Sequence, residues 1–295
     1  MISVCVPVYR YRALPLAREL VRQVQQLPAG EVELLIYDDA SPDDGEWGRE
    51  DLRELRGIRY VELSHNLGRA AIRNRMVNDA TGEYCLLLDA DAAVPPHFLM
   101  NYRNWLTARP EPTEPVVVVG GRRYTPEPPA DPALQLHWWY GTCRESDAGR
   151  LADAGWLGFH SNNFLATRSL LMAHPFPEDA TGYGHEDTLW GQQLTGTRTR
   201  LFRIDNAVTH LGLEPAEVFL HKQRQAIGNL RRLHQLAPHL RTRLIDLTRR
   251  YPRLDRWARY LPEAPLRRYL TSRPRPDLRV LDLLKLRWWN ELEPA

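Results

Sequence analysis

Short apolar runs alternate with stretches of helical periodicity over the first 120 residues of the chain. The apolar runs predict five strands, at residues 2–8, 32–37, 58–63, 84–88 and 116–119. Apolar residues spaced three and four apart predict helices between them, at residues 14–24 and 70–80. Strands that alternate with helices are typical of an α/β fold with a mostly parallel sheet covered on both faces.

The pattern changes in the second part of the chain. Residues 138–195 are rich in Gly, Trp, Asn and His and show little periodicity, which is typical of a segment that carries a site over a sheet. From residue 215 onward the pattern is helical and is broken by prolines. We therefore predict one domain over residues 1–214 and a helical, Arg-rich C-terminal extension over residues 215–295.

Composition excludes several classes of protein. With 43% hydrophobic and 26% charged residues, the chain is expected to be neither disordered nor embedded in a membrane. Its three cysteines lack metal-ligand spacing and are predicted to be reduced thiols. A strand is predicted from Ile2, so no secretory leader is expected, and no apolar run approaches the ~20 residues that span a bilayer. These features favour a cytoplasmic protein.

The net charge of +2 conceals an uneven distribution. Residues 222–295 contain 18 Lys and Arg against 7 Asp and Glu, whereas residues 1–221 contain 21 against 30. A basic extension favours an anionic partner such as lipid headgroups at the inner membrane face, although solvated arginine-rich helices give the same pattern. No nucleic-acid partner is expected.

The extension also contains an apolar stripe at helical spacing. It comprises Leu278, Leu281, Lys285, Trp288 and Leu292. Such a stripe beside cationic residues is typical of a helix that lies in a headgroup layer. The same stripe suits a helix in the groove of a partner protein, or one packed against the rest of this chain. We favour packing, because Glu291 and Glu293 flank the stripe.

Acidic residues directly follow two of the predicted strands. The strand at 84–88 ends in Asp89-Ala90-Asp91, and the strand at 32–37 ends in Asp38-Asp39. Open α/β sheets bind ligands at the carboxyl ends of their strands, and carboxylate oxygens suit a Mg²⁺ or Mn²⁺ ion that grips a diphosphate. Asp39 can also accept a hydrogen bond from a nucleotide base. A turn is the simpler interpretation of Asp38-Asp39 taken alone, since Ser41-Pro42-Asp43-Asp44 follows.

Four segments of the first half resemble, in order and spacing, the signature blocks of family 2 glycosyltransferases. They are Val6-Pro7-Val8-Tyr9, Tyr37 to Ser41, Asn66 to Asn74 and Gly82 to Asp91. The resemblance implies the GT-A fold of nucleotide-diphospho-sugar transferases. It also implies that residues 1–120 form the donor-binding half of the domain and residues 121–214 the acceptor half.

The resemblance further implies roles for individual residues. The implied donor contacts are Pro7, Tyr9, Asp39, Arg73 and Asp89. Asp39 would bind the nucleotide base, and Arg73 would lie near the diphosphate. Asp89 and Asp91 would hold Mn²⁺ or Mg²⁺. The implied donor is a nucleotide-diphosphate sugar, with UDP as the expected nucleotide.

The segment Gly182-Tyr183-Gly184-His185-Glu186-Asp187 is similar to the Gly-x-Glu-Asp acceptor motif of metal-dependent inverting transferases, including galactosyltransferase-like C-terminal segments. An inverting transfer needs a carboxylate that removes the proton of the acceptor hydroxyl as this hydroxyl attacks C1. By the motif, Asp187 is that base and Glu186 binds the acceptor, with His185 as a weaker candidate for substrate contact. Glu186 and Asp187 also suit the start of a helix, and both interpretations can hold together.

Two further candidates come from the same half. His210 follows an apolar-edged strand, and its imidazole would complete a metal shell with Asp89 and Asp91. Trp156 is a candidate acceptor platform, because flat aromatic rings stack on the apolar faces of sugars. A structural role is the alternative for each.

These features together predict a metal-dependent inverting glycosyltransferase that acts on a glycan or glycolipid acceptor. A sugar nucleotidyltransferase would share the sheet, the metal carboxylates and the nucleotide. It needs a glycine-rich loop after the first strand, where this chain has Tyr9-Arg10-Tyr11-Arg12. A non-catalytic sugar-binding module is the other alternative, and the presence of Asp89, Asp91 and Asp187 together argues against it.

Overall fold

The structure, a computed structural model, describes residues 1–108, 114–146, 152–178 and 183–291. The strands in these ranges are β1 (Ile2–Val8), β2 (Val32–Asp38), β3 (Arg59–Glu62), β4 (Tyr84–Leu88), β5 (Ala92–Ala93), β6 (Val116–Val119), β7 (Arg122–Arg123), β8 (Asn163–Thr167), β9 (Arg200–Arg203) and β10 (Val208–His210). The α-helices are α1 (Leu14–Val24), α2 (Arg49–Glu54), α3 (Arg69–Asp79), α4 (Phe98–Thr107), α5 (Gln135–Arg144), α6 (Arg168–Ala173), α7 (Glu186–Gln193), α8 (Ala216–Leu236), α9 (Arg243–Arg250), α10 (Pro252–Ala258), α11 (Glu263–Thr271) and α12 (Leu278–Glu291). Short 3-10 helices cover Pro132–Leu134 and Ala152–Gly158.

A seven-stranded sheet forms the centre of the fold, in the order β3-β2-β1-β4-β8-β6-β9. The first four strands are parallel, β8 runs antiparallel to both β4 and β6, and β9 is parallel to β6. The predicted α/β class with a mostly parallel sheet is confirmed. Because β2, β1 and β4 are neighbours, the three strand ends that carry the candidate residues lie at one edge.

Both faces of this sheet are buried, which explains the continuous apolar runs of its strands. Successive strand residues point to opposite faces, so Val4 and Val6 of β1 face the core covered by α1 and α4. Cys5 faces the other core, covered by α3, α6 and α7. Cys5 and Cys85 are buried free thiols and Cys143 is a half-buried one.

A small second sheet adjoins the carboxyl end of β4. Its order is β5-β10-β7, with β10 antiparallel to β5 and parallel to β7. His210 pairs with Ala92, and the Leu211 N–H donates to the Asp91 carbonyl over 2.8 Å. Two very short strands thus bring residue 210 next to residue 91.

Helices α8 to α12 form the C-terminal part of the described chain. Helix α8 packs against α5, and α12 packs against α8, α9, α10 and α11. Leu278, Leu281 and Trp288 of α12 are buried in a core that also contains Leu136 of α5. Packing is therefore confirmed for this part of the apolar stripe, whereas Leu292 lies outside the described residues. No helix in the described ranges is long and apolar enough to cross a membrane.

Residues 138–195 contain more regular structure than their composition predicts. The described part includes most of α5 together with β8, α6 and α7. Strand β8 inserts antiparallel between β4 and β6, and Trp138 and Trp190 are buried side chains of α5 and α7. The sequence shows little periodicity here because short helices buried on several sides have no one-sided apolar period.

Candidate active site

A cavity of about 550 Å³ opens at the carboxyl edge of the sheet and reaches the C-terminal helices. The predicted site residues that line it are Arg73, Asp89, Asp91, His185, Glu186, Asp187 and His210. The predicted site residues that do not line it are Pro7, Tyr9, Asp39 and Trp156. The cavity therefore brings together the residues predicted for the metal, the diphosphate and the proton transfer.

Arg73, on α3, connects the carboxylates on two sides of the cavity. Its Nη2 donates to Asp89 Oδ1 over 3.0 Å, and its Nη1 is 3.8 Å from Glu186 Oε1. Arg69, one turn earlier on α3, is 3.9 Å from the same Glu186 oxygen. Arg73 and Glu186 are buried, and Arg73 Nη1 and Glu186 Oε2 have no hydrogen-bond partner among the described residues. Two guanidinium groups in this position can bind an anion such as a diphosphate.

Asp91 and His210 are in direct contact. Asp91 Oδ1 is 3.4 Å from His210 Nδ1, as a result of the pairing between β5 and β10. Gly212 permits the close approach of the chain, because a Cβ there would lie 2.3 Å from Asp91 Oδ2. Burial favours a higher pKa for Asp91, but the hydrogen bond from His210 and nearby positive charges hold this pKa below its ordinary value. Asp91 is therefore ionised at neutral pH.

The side chains at the carboxyl edge of the sheet offer ligand atoms that suit a hard divalent cation. Asp89 and Asp91 offer carboxylate oxygens, and the buried Nε2 of His210 has no hydrogen-bond partner among the described residues. Arg73 donates a hydrogen bond to Asp89. In the described ranges, no three His, Cys, Asp or Glu side chains are arranged so that they could hold a metal ion together. Asp89, Asp91 and His210 fit Mn²⁺ or Mg²⁺ by their chemistry, and their binding of a metal ion stays a prediction.

Asp187 lies in the first turn of α7. Its Oδ1 accepts from the Thr188 N–H over 2.7 Å, and its Oδ2 accepts from the Ser161 N–H over 3.4 Å. Burial favours a higher pKa for Asp187, but His160, His185 and the Thr188 N–H hold this pKa below its ordinary value. The side chain is therefore ionised at neutral pH, as a general base must be, and it also stabilises the start of the helix.

The adjacent Glu186 has different surroundings. Burial and then the charge of Asp187 raise the pKa of Glu186, although Arg69 and Arg73 act in the opposite direction. Glu186 thus faces the arginines of α3, whereas Asp187 faces Ser161. This separation allows two neighbouring carboxylates to perform different functions.

The two residues before this pair fix the direction of the backbone. Gly184 has a φ of +90°, and a Cβ there would lie 2.9 Å from the Ala226 Cβ of α8. His185 has a φ of 70°, a left-handed conformation that is uncommon for a residue with a side chain. Burial is the main cause that lowers the pKa of His185 to about 4, so its imidazole is neutral at pH 7. Gly182 lies outside the described residues.

Asp39 binds to the protein itself. Its carboxylate accepts from the backbone N–H groups of Leu67 and Gly68 over 2.7 and 3.0 Å, which holds the loop that begins α3. The turn interpretation is confirmed for Asp38, whose Oδ1 accepts from the Ser41 N–H over 2.7 Å. Contact of Asp39 with a nucleotide base stays a prediction.

The other predicted contacts also lie outside the cavity. Pro7 lies in β1, and Tyr9 follows this strand with 48% of its surface exposed. Trp156 is partly buried and packs against Phe159, with 6.2 Å between the ring centres. This position places Trp156 against the core that contains Trp190. Its use as a sugar platform stays a prediction.

Five arginines that line the cavity were not among the predicted site residues, and two of them, Arg69 and Arg122, lie beside the carboxyl edge of the sheet. Arg69 precedes Arg73 by four residues, so a helical projection of α3 places both on one face. Arg122 follows β6 through two glycines, and its Nη1 is 3.0 Å from Glu145. Its position at a strand end of the same sheet is the signal that could have identified it.

Comparison with known proteins supports the architecture. The model of glycosyl transferase family 2 matches residues 3–173, more than half of the chain. The mannosyltransferase PcManGT from Pyrobaculum calidifontis, solved in complex with GDP-Man and Mn²⁺, is similar over 79% of this chain at 20% identity, with a TM-score of 0.54. The match spans 64% of that protein, which is less than two thirds of its length. No curated protein matches the sequence.

A second structure covers more of the chain. S. aureus TarS 1-349, solved in complex with UDP-GlcNAc, is similar over 97% of this chain and 90% of its own, at 18% identity and a TM-score of 0.50. At these identities the likeness shows the fold, which is GT-A. The match of the family model to residues 3–173 agrees with this fold and identifies the family. The chain belongs to glycosyl transferase family 2.

Proposed function

We propose that this protein transfers a sugar from a nucleotide-diphosphate donor to an acceptor hydroxyl, with inversion at C1 and with Mn²⁺ or Mg²⁺ bound. The observation that carries the proposal is the shared cavity, which Asp89, Asp91, the α3 arginines and Asp187 all line. Family membership supports a nucleotide sugar as the donor. PcManGT binds GDP-Man and TarS binds UDP-GlcNAc, and UDP stays our expectation for this chain.

On the donor side, positive charge faces the leaving group. Arg69 and Arg73 would bind the diphosphate, because their guanidinium groups lie at the cavity beside Glu186 and Asp89. Asp89, Asp91 and His210 would hold the divalent cation. When bound, this cation supplies further positive charge to the departing nucleoside diphosphate.

On the acceptor side, Asp187 would remove the proton of the attacking hydroxyl. Its carboxylate is ionised, and the Thr188 N–H fixes its orientation. Glu186 Oε2, which has no hydrogen-bond partner among the described residues, would accept a bond from another acceptor hydroxyl. Attack from the face opposite the leaving group inverts C1, so an α-configured donor would give a β-linked product.

The test is a panel of nucleotide sugars incubated with purified protein and Mn²⁺, with nucleoside diphosphate release as the readout. We expect slow hydrolysis of at least one donor, and a loss of about tenfold or more in Arg73→Gln, because the diphosphate loses a positive partner. Arg18→Gln, which changes an exposed arginine of α1, is the control and should behave like the wild type. If folded protein neither binds nor hydrolyses any nucleotide sugar, the proposal is wrong.

We also propose that the C-terminal helices contact an anionic membrane, through α10 rather than α12. The α10 patch comprises Tyr251, Leu254, Trp257 and Tyr260 together with Arg249, Arg250, Arg253, Arg256 and Arg259, all of them exposed. Trp257 is 72% exposed and Tyr260 is 69% exposed. Asp255 is the one acidic residue between positions 249 and 260. Exposed aromatic rings among arginines suit the headgroup layer of an anionic membrane.

Vesicle flotation at moderate salt tests this contact. The wild type is expected to float with phosphatidylcholine vesicles that contain phosphatidylglycerol, and not with pure phosphatidylcholine. Trp257→Ala/Tyr260→Ala and Arg253→Gln/Arg256→Gln/Arg259→Gln should each lose most of the bound fraction. Their melting temperatures should stay unchanged, because these side chains are exposed.

The matched control removes the same charge elsewhere. Arg18, Arg56 and Arg198 are exposed and lie outside the α10 patch, so their triple replacement by Gln should float like the wild type. No flotation of the wild type would end the membrane proposal. An equal loss in the control triple would show general charge attraction instead of a docking patch.

A further inference from the structure

One wall of the cavity, built from the C-terminal helices and α5, is positively charged. Arg144 of α5, Arg243 at the start of α9 and Lys285 of α12 line it together with Asp282. Asp282 Oδ2 is 3.0 Å from Arg144 Nη2 and 3.7 Å from Arg243 Nη2. One carboxylate is therefore shared by two guanidinium groups and cannot neutralise both. We name these four residues the α12 cluster.

Lys285 adds a third positive charge to the α12 cluster. It follows Asp282 by three residues on α12, and this spacing places both on one face of the helix. Its Nζ is 3.2 Å from the Tyr140 hydroxyl and 4.7 Å from the centre of the Tyr140 ring. A hydroxyl and a ring face leave the ammonium charge in place, so the α12 cluster keeps two more positive than negative charges.

The neighbouring cations on this wall are compensated. Lys222 forms an ion pair with Glu214, and Arg241 Nη2 is 3.1 Å from Asp246 Oδ2. The excess positive charge is therefore concentrated in the α12 cluster instead of being spread over the wall.

The α12 cluster shares its cavity with the residues of the acceptor motif. His185 and Asp187 line the same cavity, and after burial the charge of Lys285 also contributes to the low pKa of His185. Ile227 and Leu230 of α8 provide apolar lining. A molecule whose hydroxyl reaches Asp187 can therefore place a second group at the cluster. Attraction between charges inside such a cavity is stronger than on an open surface.

We propose that the acceptor carries a phosphate or carboxylate group, which binds at Arg144, Arg243 and Lys285 while a hydroxyl of the same molecule faces Asp187. The inference rests on the proposed glycosyl transfer and deepens it by specifying the charge of the acceptor. Two uncompensated positive charges match the charge of a phosphate monoester. A neutral acceptor would bring no negative charge to the three cations of the α12 cluster, for which Asp282 is the acidic partner among the described residues.

Binding of inorganic phosphate tests the α12 cluster without turnover or a known acceptor. Calorimetric titration of the full-length protein is expected to show binding, and Arg144→Gln/Lys285→Gln should bind at least about tenfold more weakly. Arg243→Gln, at a side chain that is 74% exposed, gives a second comparison that leaves the fold intact. Arg18→Gln/Arg198→Gln removes the same charge at exposed sites and should bind like the wild type.

Two results of this titration would overturn the proposal. The first is a wild type that does not bind phosphate. The second is equal affinity in the wild type and in the variants of Arg144, Lys285 and Arg243, because phosphate would then bind elsewhere in the protein.

Transfer assays distinguish the sources of the anionic group. Glycerol, glycerol 3-phosphate, glycerate and short-chain phosphatidylglycerol are compared as acceptors, with nucleoside diphosphate release as the readout. Faster release with an anionic member than with glycerol, and an acceptor KM about tenfold higher in Lys285→Gln than in the wild type, would support the proposal. Preference for the neutral alcohol would overturn the anionic acceptor while leaving glycosyl transfer intact. Absence of donor hydrolysis would instead contradict the proposed function itself.

Discussion

Replacing Asp187 with Asn is expected to lower kcat for transfer by about 10²–10⁴-fold, because the acceptor hydroxyl loses its base. The affinity for the nucleotide sugar should stay nearly unchanged, since the base acts on the acceptor and not on the donor. Asn keeps the shape of the side chain, and its amide oxygen can still accept from the Thr188 N–H. The measurement is kcat together with the donor Kd on the same preparation.

Two comparisons make this result decisive. Asp43→Asn changes a carboxylate that is 96% exposed and should leave transfer unchanged. Glu186→Gln should mainly weaken acceptor binding. A loss below about tenfold in Asp187→Asn would place the base elsewhere. The opposite pattern in the Asp187 and Glu186 variants would mean that their roles are exchanged.

Replacing Asp91 with Asn is expected to lower transfer by about 10²-fold or more, because a neutral amide removes one negative charge from the metal edge. It also weakens the contact with His210, which lies 3.4 Å away. The measurements are transfer rates over a range of Mn²⁺ concentrations and the Mn²⁺ affinity by calorimetry. Both should fall in the variant.

Chelation provides the complementary experiment on the wild type. Excess EDTA should abolish transfer, and added Mn²⁺ should restore it. Asp43→Asn again serves as the control, because this exposed side chain lies outside the cavity. Equal transfer with and without EDTA would show that Asp89, Asp91 and His210 do not work through a metal.

The candidate donor-binding residues at the carboxyl edge of the sheet could be predicted, because the ends of strands have a strong sequence signal. An apolar run that stops at Asp89 fixes both the element and the edge at which the residue lies. His210 is harder to place. The sequence predicts one apolar-edged strand over residues 201–210, but the structure divides this segment into β9 and β10, which belong to different sheets. The strand that pairs with β10, β5, has two residues, which is too short for any alternation to appear. The contact with Asp91 therefore emerges only from the three-dimensional pairing.

The α12 cluster could not be predicted from sequence patterns. Arg144, Arg243 and Lys285 lie on three different helices. Periodicity defines the apolar face of a helix, but it does not specify which helix that face packs against. Lys285 even lies within the stripe that suggested either membrane contact or packing, and the structure places it at the cavity.

Asp39 illustrates a different limit. A carboxylate at a strand end is a candidate for ligand binding, yet the Asp39 oxygens accept from the N–H groups of Leu67 and Gly68. Sequence alone does not distinguish a carboxylate that supports a loop from one that contacts a ligand. Here it supports the loop from which α3 presents Arg69 and Arg73.

The position of α12 at the end of the described chain has a consequence for biosynthesis. Chains emerge from the ribosome N-terminus first, so β1 to β4 and Asp89 are available long before Asp282 and Lys285. The carboxyl edge of β1 to β4 can therefore form on a nascent chain that does not yet contain the α12 cluster. If the two proposals hold, a chain that stalls or is cut before α12 would keep its donor-binding residues but would lack the cations that we propose to bind the acceptor.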